Sequence, residues 1–340
     1  MMHEPAAADA IPRPAGSVST KGARSLDAAT DALVAERLAR KDRDTPASRT
    51  HQDARLLGTL AARLDLDTRV HANRFSAATS MTSLQNLRAH PDFEDGWLRG
   101  KTCLEFGCGG LNPGGTMFAM LLQGAARGFA LDMDGIESVP LACRALYRLA
   151  AAALVGADGA DIRGTPREIL ARVETFDLAK LADGDADGLD LDRLQFIQAP
   201  LEASGIPPES VDVVTSNSVF EHLADPEEVT AELARRMRSG GLAVHAIDGF
   251  DHRFYQDETV HPLAMLREET DEPLVYGCNR IRPLAFAEMF ERHGLEVRDV
   301  LESYRVPLDE PQIASFAPPF RDVPLEHLEV ARARFYLRKR

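Results

Sequence analysis

From Lys101 onward the hydrophobic positions follow two alternating rhythms. Short apolar runs at Thr102–Phe106, 128–131, 194–199, 211–216 and 242–247 predict β-strands, with a last one at 331–337. Between them lie stretches with helical spacing, at 116–126, 136–154 and 226–237. In the third, Val229, Leu233 and Met237 recur every four residues and Gly240-Gly241 is expected to end the helix. Pro283 opens another helix, in which Phe286, Met289, Phe290 and His293 share a face and Gly294 is the stop. Strands alternating with helices predict an α/β fold: a doubly wound, mostly parallel sheet covered on both faces.

The chain before and within this unit reads differently. Residues 1–24 are rich in Ala, Pro, Ser and Gly without a hydrophobic period, the pattern of a disordered tail. Residues 25–95 predict a helical N-terminal extension, with Ser25 as a cap and Leu56, Leu57, Leu60 and Leu64 on one later face. The main domain is expected over 96–340. Residues 155–193, Gly- and Asp-rich around a helical stretch at 166–173, interrupt the alternation as an insertion.

Composition narrows the class. Acidic residues outnumber basic ones by 53 to 39, a formal charge of −14, which opposes binding to phosphate backbones or anionic lipid. The expectation is no nucleic-acid and no membrane partner. Cys103, Cys108, Cys143 and Cys278 form no CxxC pair, consistent with reduced thiols and a cytoplasmic setting. No signal peptide is apparent, and the longest apolar stretch falls far short of the roughly 20 residues that span a membrane.

The chemistry begins at Leu104-Glu105-Phe106-Gly107-Cys108-Gly109-Gly110, a strand running straight into glycines and then a helix. Such a turn lets a ligand approach the backbone at the carboxyl edge of a sheet. Asp132 ends the next strand, at the spacing of a ribose-binding carboxylate. A GxGxxG dinucleotide loop would need a third glycine where Asn112 stands, and Glu105 would repel a pyrophosphate. A carboxylate there instead suits a cationic amino-acid end, so the ligand that fits is S-adenosylmethionine.

On these residues the chain resembles the class I S-adenosylmethionine-dependent methyltransferases, over roughly residues 100–306. The stretch 210–223, ending Glu221-His222-Leu223, is similar to that family's fourth-strand motif, and 235–242 to the helix and turn into its fifth strand. The resemblance implies a Rossmann-like methyltransferase fold. It also implies cofactor binding by Glu105, Gly107, Cys108, Gly109, Asp132, Met133, Gln198, Pro200, Leu201 and Asn217. Two positions depart from the pattern. Leu111 stands where a small residue is usual, and Ala199 where an acid commonly contacts adenine, which leaves that contact to Gln198 or to backbone near Pro200 and Leu201.

Transfer to an alcohol needs a base, and imidazole suits neutral pH. His252 is the expected base, oriented by Asp248 or Asp251, with His245 a further catalytic candidate. The plainer alternatives are a packed strand residue for His245 and a solvated loop residue for His252. His222, Arg280 and Arg282 are candidates for binding the acceptor, the arginines by clamping an anionic group or else by pairing with acids. Asp248, Asp251, His252 and His261 also offer a mixed oxygen–nitrogen set for Mg or Mn, but the expectation is no metal. Asp183, Asp185 and Asp187 copy half a calcium loop, yet Leu194 occupies the position of its bidentate Glu. The favoured activity is methylation of a small-molecule hydroxyl, of sugar or natural-product type, with a homodimer left open. The alternatives are N- or C-methylation, or a silent cofactor-binding regulatory subunit.

Overall fold

A computed structural model describes residues 77–110, 112–155 and 162–340. The expected tail, most of the helical extension and Leu111 lie outside the described residues. Seven strands form one sheet in the order β3-β2-β1-β4-β5-β7-β6. They are β1 Thr102–Phe106, β2 Arg127–Asp132, β3 Leu194–Gln198, β4 Val211–Asn217, β5 Met237–Asp248, β6 Leu295–Arg305 and β7 Val330–Lys339. The first five run parallel; β7 enters antiparallel between β5 and β6. The carboxyl ends of β1 to β5 therefore share one edge, and the strand order reverses between β1 and β4, where α/β sheets open a crevice.

Both faces of the sheet are buried, which explains why its strands read as apolar runs rather than alternations. On one face Cys103, Ala130, Val213 and Val244 meet α1 (Ala77–Arg88), α2 (Gly115–Leu122), α3 (Val139–Val155) and α4 (Pro166–Val173). Their strand neighbours Leu104, Leu131, Val214 and Ala243 turn to the other face, against α6 (Pro226–Arg236) and α7 (Phe286–Arg292). The inserted segment contributes α4 and α5 (Leu178–Asp183), which cover the α3 side. Within it Asp185 accepts a hydrogen bond from the Asp187 N–H, a local turn. A third, smaller core of Phe250, Leu263, Met265, Leu266, Cys278, Phe316 and Leu328 lies beneath the segments that follow β5.

Two elements differ from the sequence expectation. Helix α6 is well signalled: Asp225 accepts from the Glu228 N–H at 2.9 Å, a cap worth about 1 kcal/mol, and Arg235 and Arg236 close its last turn. It stops at Arg236, however, and Met237 already pairs with Val211 in the sheet. Gly240-Gly241 belongs to a bulge before Leu242 rejoins Val213, and Gly240 supplies the positive φ of 78° that the bulge requires. Strand β6 has no sequence signal. It is an edge strand whose pairing with β7 shifts register at Val297/Asp299 and Glu302/Tyr304, so its charged residues never fall into a period of two.

Candidate active site

The carboxyl edge carries two groups of residues. The first surrounds the bend after β1. Gly107 and Gly109 have φ of 72° and 69°, a region that favours glycine. A Cβ on Gly107 would lie 2.3 Å from Val219 Cγ2, so the residues following β4 close directly over this bend. The Gly107 and Cys108 N–H groups both donate to the Leu131 carbonyl, tying the bend to β2. Asp132 accepts from the Gly109 N–H at 2.6 Å and from the Asp134 N–H at 2.9 Å, one bond to each oxygen. Each carboxylate oxygen keeps a lone pair free, which is what a ribose diol needs.

Glu105 sits one strand over, paired in register with Ala130, and its Oε2 is buried without a hydrogen-bond partner among the described residues. Burial pushes its carboxyl up to about 7, with the Thr116 hydroxyl opposing and Asp132 adding to the rise. An orphaned buried carboxylate beside a glycine bend fits an ammonium group, so these residues suit the amino-acid end of S-adenosylmethionine. Gln198 ends β3, its Nε2 donating to the Met133 carbonyl at 3.4 Å, and the Ala199 N–H donates to the Asp132 carbonyl. Met133, next to Asp132 in the chain, is 73% exposed. Pro200 opens a short turn, but the Leu201 side chain is buried in the core, leaving only backbone there for adenine. Asn217 is exposed at the tip of β4.

The second group follows β4 and β5. His222 Nδ1 lies 2.8 Å from the Gly277 carbonyl, and the His222 and His252 rings meet edge to face with centroids 4.8 Å apart. His252 Nε2 is buried and has no hydrogen-bond partner among the described residues. Burial and the neighbouring His222 hold this imidazole below its usual range, while Asp248 and Asp251 oppose them, so it is neutral at neutral pH.

The expected orienting carboxylates are committed elsewhere. Asp248 accepts from Tyr255 Oη at 2.6 Å and Arg332 Nη2 at 3.0 Å. Asp251, fully buried, accepts from the backbone and guanidinium of Arg253. Neither makes a hydrogen bond to His252 among the described residues, so each reaches it only as a nearby charge. His245 lies in the interior: fully buried, bonded through Nδ1 to Ser216 Oγ at 2.8 Å and packed against Phe220 and Phe290. Burial lowers it to about 3, which leaves it neutral and enclosed, the packed-strand alternative.

The two arginines donate to backbone rather than to an open pocket. Arg282 is buried and bonds the Gly249 and Val330 carbonyls at 2.9 and 2.5 Å, burial drawing it down to about 9. Arg280 bonds the Glu268 and Thr270 carbonyls. Asn279 of the same run donates to the Phe220 and Leu223 carbonyls, so the run ties the segment before α7 to the β4 turn. His261 is turned toward Leu263 and Gln312, which leaves the Asp/His metal set unassembled.

Sequence reasoning missed Glu221 and Cys278 as site residues. Glu221 is 2% exposed, and burial raises it to about 8, Asp248 adding to the rise while backbone N–H groups and the Ser218 side chain oppose it. Its signal was the Glu-His pair itself; Cys278 had none beyond preceding Asn279.

The family model described as "Methyltransferase domain" matches residues 66–300. No curated protein matches the chain. Among solved structures, a geranyl diphosphate methyltransferase in complex with S-adenosylmethionine is 14% identical with a TM-score of 0.43, covering 82% of this chain and 90% of its own. The geranyl diphosphate C-methyltransferase of Streptomyces coelicolor A3(2) is 11% identical, with a TM-score of 0.42 and coverages of 77% and 79%. An S-adenosylmethionine-dependent methyltransferase from Mesorhizobium loti is 15% identical, with a TM-score of 0.39 and coverages of 75% and 96%.

Proposed function

Because the chain belongs to the methyltransferase-domain family, we propose that it methylates a hydroxyl oxygen of a small molecule held over the ends of β4 and β5. It is a methyltransferase whose methyl donor is S-adenosylmethionine. When bound, that donor supplies an electrophilic methyl group on a sulfonium, and the residues of this chain do the rest. Asp132 accepts the ribose hydroxyls, Glu105 faces the ammonium end, and the Gly107–Gly109 bend lets the ligand lie against backbone. Gln198, Met133 and the backbone at Pro200 and Leu201 are left for the adenine side.

The observation that supports a hydroxyl acceptor is His252: a neutral imidazole whose Nε2 is buried and unpartnered at the same edge. In-line transfer forms the new O–CH3 bond as the S–CH3 bond breaks, and the acceptor proton passes to His252 Nε2. S-Adenosylhomocysteine remains. A nitrogen or carbon acceptor makes less use of that base.

The first test is thermal melting with S-adenosylhomocysteine. At 100 times its dissociation constant the ligand should stabilise the chain by about 2.7 kcal/mol, and Asp132→Ala should lose that shift. Absence of a shift in the unaltered chain, or an equal shift in Asp132→Ala, overturns the cofactor assignment. If His252→Ala turns over a methyl acceptor at the unaltered rate, the hydroxyl assignment falls and N- or C-methylation replaces it. No described helix is long and apolar enough to cross a membrane.

A further inference from the structure

Cys278, which the methyl-transfer reading leaves unused, meets His222 and His252 where three loops come together. His222 lies on the turn after β4, His252 on the turn after β5, and Cys278 closes a small bridge with Val275. One ring nitrogen of each histidine and the Cys278 sulfur all lie within 4.8 Å of one another.

Each donor is prepared. The carbonyl of Gly277 can only accept, so the bond to His222 Nδ1 places the ring proton there and leaves Nε2 with its lone pair. Metal-binding histidines are oriented by this same kind of backbone partner. His252 Nε2 has no partner. Cys278 is 1% exposed, its thiol donating a long bond of 3.8 Å to the Phe250 carbonyl while the His252 backbone N–H lies on the sulfur.

One of the carboxylates around the thiol has no cationic partner among the described residues. Of the three carboxylates around the thiol, Asp251 is paired with Arg253 and Asp248 with Arg332. Glu221, buried beside His222, has no ion pair among the described residues.

We propose that His222, His252 and Cys278 form a binding site for a thiophilic divalent cation of the zinc class. Two imidazoles and a thiolate favour zinc or cobalt over magnesium, calcium or manganese, which prefer oxygen. Bonds of about 2.0–2.3 Å in a tetrahedral centre set such donors roughly 3.3–3.8 Å apart, so a contraction of about 1 Å by ring rotation closes the site. Three protein ligands leave a fourth position for water or an acceptor oxygen. Binding deprotonates the Cys278 thiol and releases the proton to solvent. The cation takes the His252 lone pair, so the loaded state and the proton-accepting state are alternatives of one residue. The site itself does not depend on the methyl-transfer reading.

The test is a titration of the chelator-stripped full chain with Co2+, followed by the thiolate-to-cobalt charge-transfer band in the near ultraviolet. One equivalent should bind, Zn2+ should displace it, and Zn2+ should protect Cys278 from alkylation in the unaltered chain. Cys278→Ser should abolish the band, and His222→Ala should weaken binding by about tenfold or more. Both variants should keep the melting shift with S-adenosylhomocysteine, which shows that they are folded. No band in the unaltered chain, a band undiminished in Cys278→Ser, or a Cys278 that alkylates equally with and without Zn2+ overturns the proposal. A missing S-adenosylhomocysteine shift counts instead against the methyltransferase site.

Discussion

The β1–β2 end of the carboxyl edge, where we place the cofactor, and the β4–β5 end, where we place the acceptor, are built in opposite ways. Around β1 and β2 the work falls to backbone: two left-handed glycines, two N–H groups on the Leu131 carbonyl and a loop hydrogen-bonded to Asp132. Its parts are close in sequence. Around β4 and β5 the work falls to side chains drawn from distant segments. His222 meets Gly277, Asn279 meets Phe220, Asp248 meets Arg332, and Arg282 meets Val330. A backbone-built site resists any added Cβ but fixes the shape of one ligand. A side-chain-built site is retuned by single substitutions, as suits a region that selects the acceptor.

The largest expected effect falls on the acceptor side. His252→Gln keeps a polar side chain but loses a base, so turnover should drop by about 10²–10⁴-fold. S-Adenosylhomocysteine binding, measured by calorimetry, should not change. If binding falls together with turnover, the two sides are not separable and the contrast fails.

Next is Arg282→Met. The substitution preserves length and apolar bulk but leaves two buried carbonyls, those of Gly249 and Val330, without a donor. Each unsatisfied group costs about 1–3 kcal/mol, so denaturant unfolding should show a loss of roughly 2–4 kcal/mol. An unchanged unfolding midpoint would mean that the Gly249 and Val330 carbonyls do not depend on this donor.

These contrasts also explain what could be read from the chain. The strands of the parallel sheet, and the glycine bend that brings Glu105, Gly107, Gly109 and Asp132 to one edge, were legible because local sequence encodes them. A buried strand needs a run of apolar residues, and a glycine bend needs glycines at fixed spacing. The acceptor side was not legible in the same way. His245 and His252 look alike in sequence, seven residues apart, yet one packs against Phe290 and the other borders His222. That difference depends on where the chain leaves β5, not on either residue. For Arg280 and Arg282 an anion clamp and pairing with acids both stayed open, because a free guanidinium and one bonded to carbonyls 10 or 48 positions away have the same sequence. Strand β6 escaped for a related reason: its register is set by β7, not by its own pattern.

On the cofactor side, Gly107→Ala should weaken binding and stability together. The new Cβ would meet Val219 at 2.3 Å, and φ of 72° strains any L side chain. A loss of about 1–3 kcal/mol in stability is expected, with a weaker S-adenosylhomocysteine shift. Adding Val219→Ala removes the collision but not the strain, so the double variant should recover only part of the loss. Full recovery would mean that the positive φ contributes nothing.

The smallest effect is the pH dependence set by Glu105. Burial holds its carboxyl at about 7 in the folded chain, above its ordinary value of 4.5 when unfolded. Between those values the folded state binds a proton that the unfolded state lacks, so this residue's contribution to stability falls as pH rises through that window. Glu105→Gln removes the titration. Without ligand, the two proteins should melt alike near pH 5 and diverge toward pH 8, the variant becoming the more stable by on the order of 1 kcal/mol. With ligand the order should reverse, because the ammonium group favours the charged carboxylate. S-Adenosylhomocysteine should bind the unaltered chain more tightly as pH rises through the window, by up to about tenfold per unit, and Glu105→Gln should stay flat. A variant that keeps the same pH slope would assign the titration to another group and break the pairing of Glu105 with the ammonium end.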